Sequence, residues 1–188
     1  GWKRRSAARK GGDVSMILVN TGDGKGKTTS AFGLTIRALG GGMKVCVIQY
    51  LKALGFKTGE REFLLKNDVE VHTMGVGFSW QKSADEQLSA LADAWALTKE
   101  RLADPSYDLI VLDEINNVFA TEDFDWRQVM PLDEVLELLR SHEKERHVIL
   151  TGRNAPDWLI ETADLVTEMR CVKHYYNDGT AATKGLEF

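Results

Sequence analysis

Thr21-Gly22-Asp23-Gly24-Lys25-Gly26-Lys27-Thr28-Thr29 decides the fold because of what stands on either side of it. Ahead of it, Val14-Ser15-Met16-Ile17-Leu18-Val19-Asn20 is a short β-branched run of the kind a buried parallel strand needs. Behind it, Thr28 to Leu39 reads as a helix stopped by Gly40-Gly41-Gly42. Strand, glycine loop and helix in that order are the setting of a triphosphate-binding loop. Gly22, Gly24 and Gly26 let successive backbone N–H groups turn toward one anion, Lys27 reaches the phosphates, and Thr28 sets its hydroxyl on Mg2+. ATP is the first ligand this suggests. The usual pattern, G-x-x-x-x-G-K-[ST], begins on glycine where this chain has Thr21. The bland alternative, a glycine turn whose lysines only face water, is disfavoured by the flanking strand and helix.

Tyr107-Asp108-Leu109-Ile110-Val111-Leu112-Asp113-Glu114 is a second buried-strand run, ending in two acids as a Walker-B strand does when it brings a carboxylate to a metal. Further apolar runs near 44–51, 69–73, 146–151 and 164–169 alternate with helical patterns. The fold expected is a single α/β domain of the P-loop NTPase, RecA-like type, with a mostly parallel sheet and helices on both faces. Ser83-Ala84-Asp85-Glu86 has the form of a capping box, and Leu88, Leu91, Ala92, Trp95, Ala96 and Leu102 follow as the core face of a helix from about Ser83 to Ala103. Pro131 opens another helix, and Pro156 a short one. Ligands of such sheets bind beyond the C-terminal ends of the strands, which would gather the glycine loop, Glu114 with Asn116 and Asn117, and Thr151-Gly152-Arg153.

The formal net charge of −4 hides an asymmetry: Lys3, Arg4, Arg5, Arg9 and Lys10 make residues 1–12 basic, leaving an acidic body at 13–188. The arm is short and holds no aromatic beyond Trp2, so a mobile solvated tail is expected rather than a nucleic-acid reader. The other reading has it order over an anionic ligand or a neighbouring subunit. No apolar stretch approaches the roughly 20 residues of a membrane span, and no apolar leader opens the chain, so a cytoplasmic protein without membrane or nucleic-acid partners is expected. Cys46 and Cys171 lack ligand spacing and read as ordinary buried or semi-buried thiols.

Two stretches fit no core role well. Gly75-Val76-Gly77-Phe78-Ser79-Trp80 puts two large aromatics in a glycine-rich loop after a strand, either as a lid over an apolar ligand or as a local core plug. The C-terminal Arg170 to Phe188, rich in cations and aromatics, is either a solvated tail or a strap reaching back over the site.

Taken together, the loop Thr21–Thr29 with Ala31-Phe32-Gly33, the Gly75–Trp80 loop, Val111-Leu112-Asp113-Glu114, Thr151-Gly152-Arg153, Val172-Lys173-His174 and Lys184-Gly185-Leu186-Glu187-Phe188 resemble the P-loop class of ATP:corrinoid adenosyltransferases. The loop of that family also starts with Thr, and Asp23 stands where relatives often have Asn. The resemblance implies that ATP binds in the reverse sense to ordinary P-loop enzymes, that a corrinoid reduced to Co(I) attacks its 5′-carbon, and that triphosphate leaves. It assigns the ATP site to Thr21, Gly22, Asp23, Gly24, Lys25, Gly26, Lys27, Thr28 and Thr29, with Arg37 and Arg153. It gives Mg2+, or Mn2+, to Thr28 and Glu114, and catalysis to Lys27, Phe78 and Trp80, the two aromatics displacing the lower axial ligand of the corrinoid. It also implies a homodimer, an electron donor that is a reduced flavoprotein such as flavodoxin, and a place in adenosylcobalamin synthesis or salvage.

From the residues alone two other functions stay open. A P-loop ATPase or kinase would act at the γ-phosphate, with Glu114 orienting water, and release ADP. A corrinoid carrier regulated by nucleotide would bind both ligands without turnover. The aromatic loop separates the first of these from adenosyl transfer, since a phosphate-only enzyme has no evident use for it.

Overall fold

The computed structural model describes residues 15–53, 58–76, 82–140 and 146–187. In chain order these form β1 (Ile17–Thr21), α1 (Lys27–Gly40), β2 (Val45–Ala53), α2 (Gly59–Lys66), β3 (Glu70–Gly75), α3 (Ala84–Ala103), β4 (Leu109–Asp113), α4 (Ile115–Ala120), α5 (Leu132–Arg140), β5 (His147–Thr151), α6 (Asp157–Thr162) and β6 (Leu165–Glu168). All six strands pair in parallel, in the order β3-β2-β4-β5-β1-β6. The expected α/β architecture is what the chain adopts.

Side chains alternate across each strand and so build a core on either face. Val45, Val47, Leu109, Val111 and Ile149 pack with Ala31, Phe32 and Ala38 of α1 and Leu64 of α2. Their neighbours Cys46, Ile48, Ile110, Leu112, Val148 and Leu150 face α3, α4, α5 and α6 through Leu91, Trp95, Phe119, Val135, Leu139 and Leu159. Burial on both faces explains why these strands read as continuous apolar runs rather than alternating ones.

Ser83 caps α3 reciprocally with Glu86, as its S-x-x-E spacing predicts. The buried stripe of that helix is Leu91, Ala94, Trp95, Thr98 and Leu102. Ala92 and Ala96, expected on the core face, point to solvent instead. At 100° per residue they lie just past the stripe, and Ala94 and Thr98 complete it. The buried Thr98 hydroxyl is satisfied by the Ala94 carbonyl at 2.8 Å and by the Tyr50 hydroxyl at 2.6 Å.

At the N-terminal edge of β2 and β3, Cys46 and Glu70 are register partners and, with His72, bring their ligand-type atoms within 4.8 Å of one another. No sequence spacing announces this grouping. Glu70 accepts hydrogen bonds from Tyr107, from His72 and from Arg101 at 2.8 Å, tying β3 to α3 and to the start of β4. Burial pushes its carboxyl up, but those donors outweigh burial and hold it at about 2. Burial and the nearby Glu70 push the Cys46 thiol up to about 12, so it packs as an inert thiol. Cys171 is exposed, not semi-buried. Among the described residues no helix is long and apolar enough to cross a membrane.

The strand order reverses at β1, which has β5 on one side and β6 on the other while the chain leaves it for β2 beyond β5 and β4. That reversal opens a crevice past the C-terminal ends of the strands, where the glycine loop lies.

Candidate active site

The loop between β1 and α1 turns on Gly22 at φ 97° and Gly26 at φ 118°, backbone conformations that side chains rarely adopt. Gly22 also has no room for one, since a Cβ would stand 2.4 Å from the Met169 carbonyl oxygen. The helix it leads into is open at its N-terminus: no side chain caps α1 and no acid lies in its first turn. Its first N–H groups and the positive end of its dipole therefore face the crevice without a partner on their own helix. Lys27 lies over this turn and donates to the Gly24 carbonyl at 2.7 Å. Burial first, then Arg153, hold Lys27 below the ordinary lysine range, with Asp23 and Glu114 opposing.

Asp113, at the end of β4, is fully buried. Its Oδ1 accepts from the Thr28 and Thr151 hydroxyls, each at 2.8 Å, and its Oδ2 from Gln49 Nε2 and Lys52 Nζ, each at 3.1 Å. Thr28 thus spends its hydrogen on Asp113 and keeps its oxygen lone pairs for another ligand. Glu114, the next residue, is turned into the left-handed region at φ 65°, costly for a residue with a side chain and typical of functional sites. Its N–H donates to Thr151 Oγ1 at 3.0 Å. Burial and the neighbouring Asp113 raise its carboxyl above the usual range, against Lys52, Lys27 and Arg153. A half-buried carboxylate whose burial and acidic neighbour outweigh its cations, together with a hydroxyl oxygen that keeps its lone pairs, is an oxygen donor set that suits a hard cation such as Mg2+ or Mn2+.

The third wall is the turn after β5. Gly152 takes φ 133° and has no space for a Cβ, which would meet Asn117 Oδ1 at 2.7 Å. Asn117 Oδ1 receives the Arg153 N–H at 2.5 Å, and Asn116 Nδ2 reaches the carbonyls of Asn20 and Gly152, both at 3.2 Å. The gathering expected of the glycine loop, Glu114 with its asparagines and Thr151–Arg153 is thereby present.

Other expected residues fall where they do for separate reasons. Thr21 is buried and accepts the Ala155 N–H at 3.0 Å, so its hydroxyl joins loop to strand end. Asp23, Lys25 and Thr29 are exposed on the loop and first turn. Arg37 is not brought to the loop: it lies exposed in the last turn of α1, about 15 Å along the helix axis from Lys27. Phe78, Trp80 and the basic arm lie outside the described residues. Of the two readings of the C-terminal segment, the strap is adopted in part, since Glu187 pairs with Lys25 of the glycine loop at 2.8 Å; just ahead of the segment, Met169 accepts the Gly24 N–H at 2.7 Å. Lys52 and Gln49 were not singled out by sequence, because a lysine at a strand end usually faces water.

A family model described as ATP:corrinoid adenosyltransferase BtuR/CobO/CobP matches residues 13–188. The corrinoid adenosyltransferase of Pseudomonas aeruginosa is 42% identical over 176 residues, covering 92% of this chain and 83% of that protein. Those of a Sinorhizobium species and of Escherichia coli K12 are each 38% identical, over 191 and 174 residues, covering 99% and 92% of this chain and 86% and 85% of theirs. A solved structure, the flagellar accessory protein FlaH from Methanocaldococcus jannaschii, overlaps 82% of this chain and 70% of its own at 13% identity and a TM-score of 0.45, too slight a likeness to add to the topology above. With the matching family model spanning the whole body of the chain and its relatives agreeing in kind, the protein belongs to the ATP:corrinoid adenosyltransferase family.

Proposed function

We propose that the chain transfers the 5′-deoxyadenosyl group of ATP to the cobalt of a corrinoid reduced to Co(I), with release of inorganic triphosphate. The cobalt electron pair forms the new Co–C bond, the C5′–O5′ bond breaks, and its pair leaves on the triphosphate. No proton has to move, so the protein needs neither nucleophile nor general base. Its work is to hold the reactants in line and to stabilise the leaving anion.

The observation that carries this reading is the uncapped start of α1, carrying Lys27 and Thr28, with Glu114 and Arg153 near Lys27. A polyphosphate laid on the Gly22–Thr29 loop would take the N–H groups of that turn, with Lys27 and Arg153 as its counter-charges. Thr28 and Glu114 are the residues that would hold Mg2+. Bound there, the metal would neutralise charge on the polyphosphate oxygens. Phe78 and Trp80 are assigned to the lower face of the corrinoid, a homodimer to the assembly, and a reduced flavoprotein to electron supply, all by likeness to the family. The cytoplasm is the proposed location.

Anaerobic incubation with ATP, Mg2+ and chemically reduced corrinoid tests the proposal. The visible spectrum should change to that of an alkylated cobalt, and the phosphate released should be inorganic triphosphate. Release of ADP would mean phosphoryl transfer instead.

A further inference from the structure

Lys52 belongs to neither the phosphate loop nor its helix. Its strand, β2, pairs on one side with β4, which ends in Asp113, and on the other with β3. Although it sits near a strand end, its side chain is only 17% exposed, and its ammonium lies 3.1 Å from the fully buried Asp113 Oδ2. Four donors fill the two oxygens of Asp113, and of these Lys52 alone carries charge.

The Thr28 and Thr151 hydroxyls and the Gln49 amide give Asp113 three neutral partners, and Lys52 supplies the charge that a fully buried carboxylate needs opposite it. What a cation adds at this place is the counter-charge of a fully buried carboxylate and, with it, a fixed orientation. Asp113 then presents Oδ1 to the Thr28 hydroxyl, which spends its hydrogen there and keeps its lone pairs for another ligand.

We infer that Lys52 is a positioning residue for the metal-bearing end of the nucleotide: as the charged partner of Asp113 it holds the carboxylate that sets the Thr28 hydroxyl. This rests on the function proposed above, in which Thr28 and Glu114 hold the metal and triphosphate is the leaving group. It adds a residue from a strand outside the glycine-loop motif.

The test is the gain in ATP affinity that Mg2+ brings, measured by calorimetry with no corrinoid present, in the parent, Lys52→Met and Lys52→Arg. Each protein is titrated with ATP in Mg2+ and again in chelator. Losing one charge-assisted contact should cut the Mg2+-dependent gain in Lys52→Met by about 10- to 100-fold. Affinity in chelator should stay within about 3-fold, and Lys52→Arg should keep most of the gain. A Lys52→Met protein with the parent's Mg2+-dependent gain overturns the inference. So does a Lys52→Arg protein that loses as much as Lys52→Met, or a loss that appears equally in chelator alongside a lowered melting temperature, which would mark a general structural role. Because no corrinoid enters, these outcomes are separate from the proposed reaction, whose own failure would appear as ADP among the parent's products.

Discussion

Replacing Asp113 with Asn keeps the shape of the side chain and removes the acceptor on which the site converges. Two consequences can be worked out. The Thr28 and Thr151 hydroxyls, at 2.8 Å, can still donate to the amide oxygen of an asparagine placed at Oδ1. Its NH2 then faces Gln49 Nε2 and Lys52 Nζ, both donors, where each had an acceptor at 3.1 Å. Gln49 cannot turn its amide freely, because its Oε1 accepts the Thr73 hydroxyl at 3.0 Å. Lys52 loses its partner while keeping only 17% side-chain exposure. Breaking a buried pair from one side costs about 3–5 kcal/mol, and the nearness of Glu114 as a second partner puts this case at the lower end, about 3 kcal/mol. For a domain of this size that corresponds to a fall in melting temperature of about 6–12 °C. Urea unfolding and scanning calorimetry on Asp113→Asn, with the exposed Asp123→Asn as a control expected to stay within about 0.5 kcal/mol, give the number. A loss below about 1 kcal/mol would refute the reasoning that this carboxylate ties β2, β4, β5 and α1 together.

Three further outcomes are expected. Lys27→Ala should weaken ATP binding in calorimetry by about 10-fold or more while the fold is kept, and unchanged affinity would contradict the loop assignment. Trp80→Ala should leave ATP affinity within about 3-fold of the parent yet abolish adenosylation that starts from Co(II), whereas equal loss of both would make Trp80 a core residue. Glu70 is held at about 2, below its value in the unfolded chain, so its contribution to stability is complete above the ordinary carboxylate range and disappears as pH falls from about 4.5 toward 2. Glu70→Gln should flatten that part of the curve of urea midpoint against pH, and a parallel curve would show that the Tyr107, His72 and Arg101 contacts do not act on this carboxyl.

What could be read from the sequence followed from burial. Strands covered on both faces leave continuous runs such as Leu109–Leu112, and these stood out without help from periodicity. The capping box of α3 is a local device and was equally visible. α2 and α4 were not: α2 buries only Leu64, and α4 is six residues long, so neither has a face that a pattern can register. Strand order depends on long crossovers, which leave no trace in a single strand.

The site divides in the same way. Loop, acids and the Thr151–Arg153 turn share the C-terminal edge because parallel topology puts them there, and motif plus topology sufficed to gather them. The partition between the adjacent acids was hidden. Asp113 points inward and orients Thr28, while the left-handed turn at Glu114 aims the next carboxylate at the crevice. Lys52 and Gln49 join only through the register of β2 with β4, which pairs Gln49 with Asp113. Arg37 shows the opposite limit, since ten residues of helix separate it from the loop to which the resemblance assigned it.

Which bond of ATP breaks is the question beneath every role assigned here. ATP carrying 18O in the bridge between C5′ and the α-phosphorus answers it, with the released phosphate and the nucleoside product both weighed by mass spectrometry after anaerobic turnover with reduced corrinoid. Attack at C5′ sends the label out in inorganic triphosphate and leaves none on the adenosyl group. Label kept on ADP, with the γ-phosphoryl group as the partner species, would contradict the account.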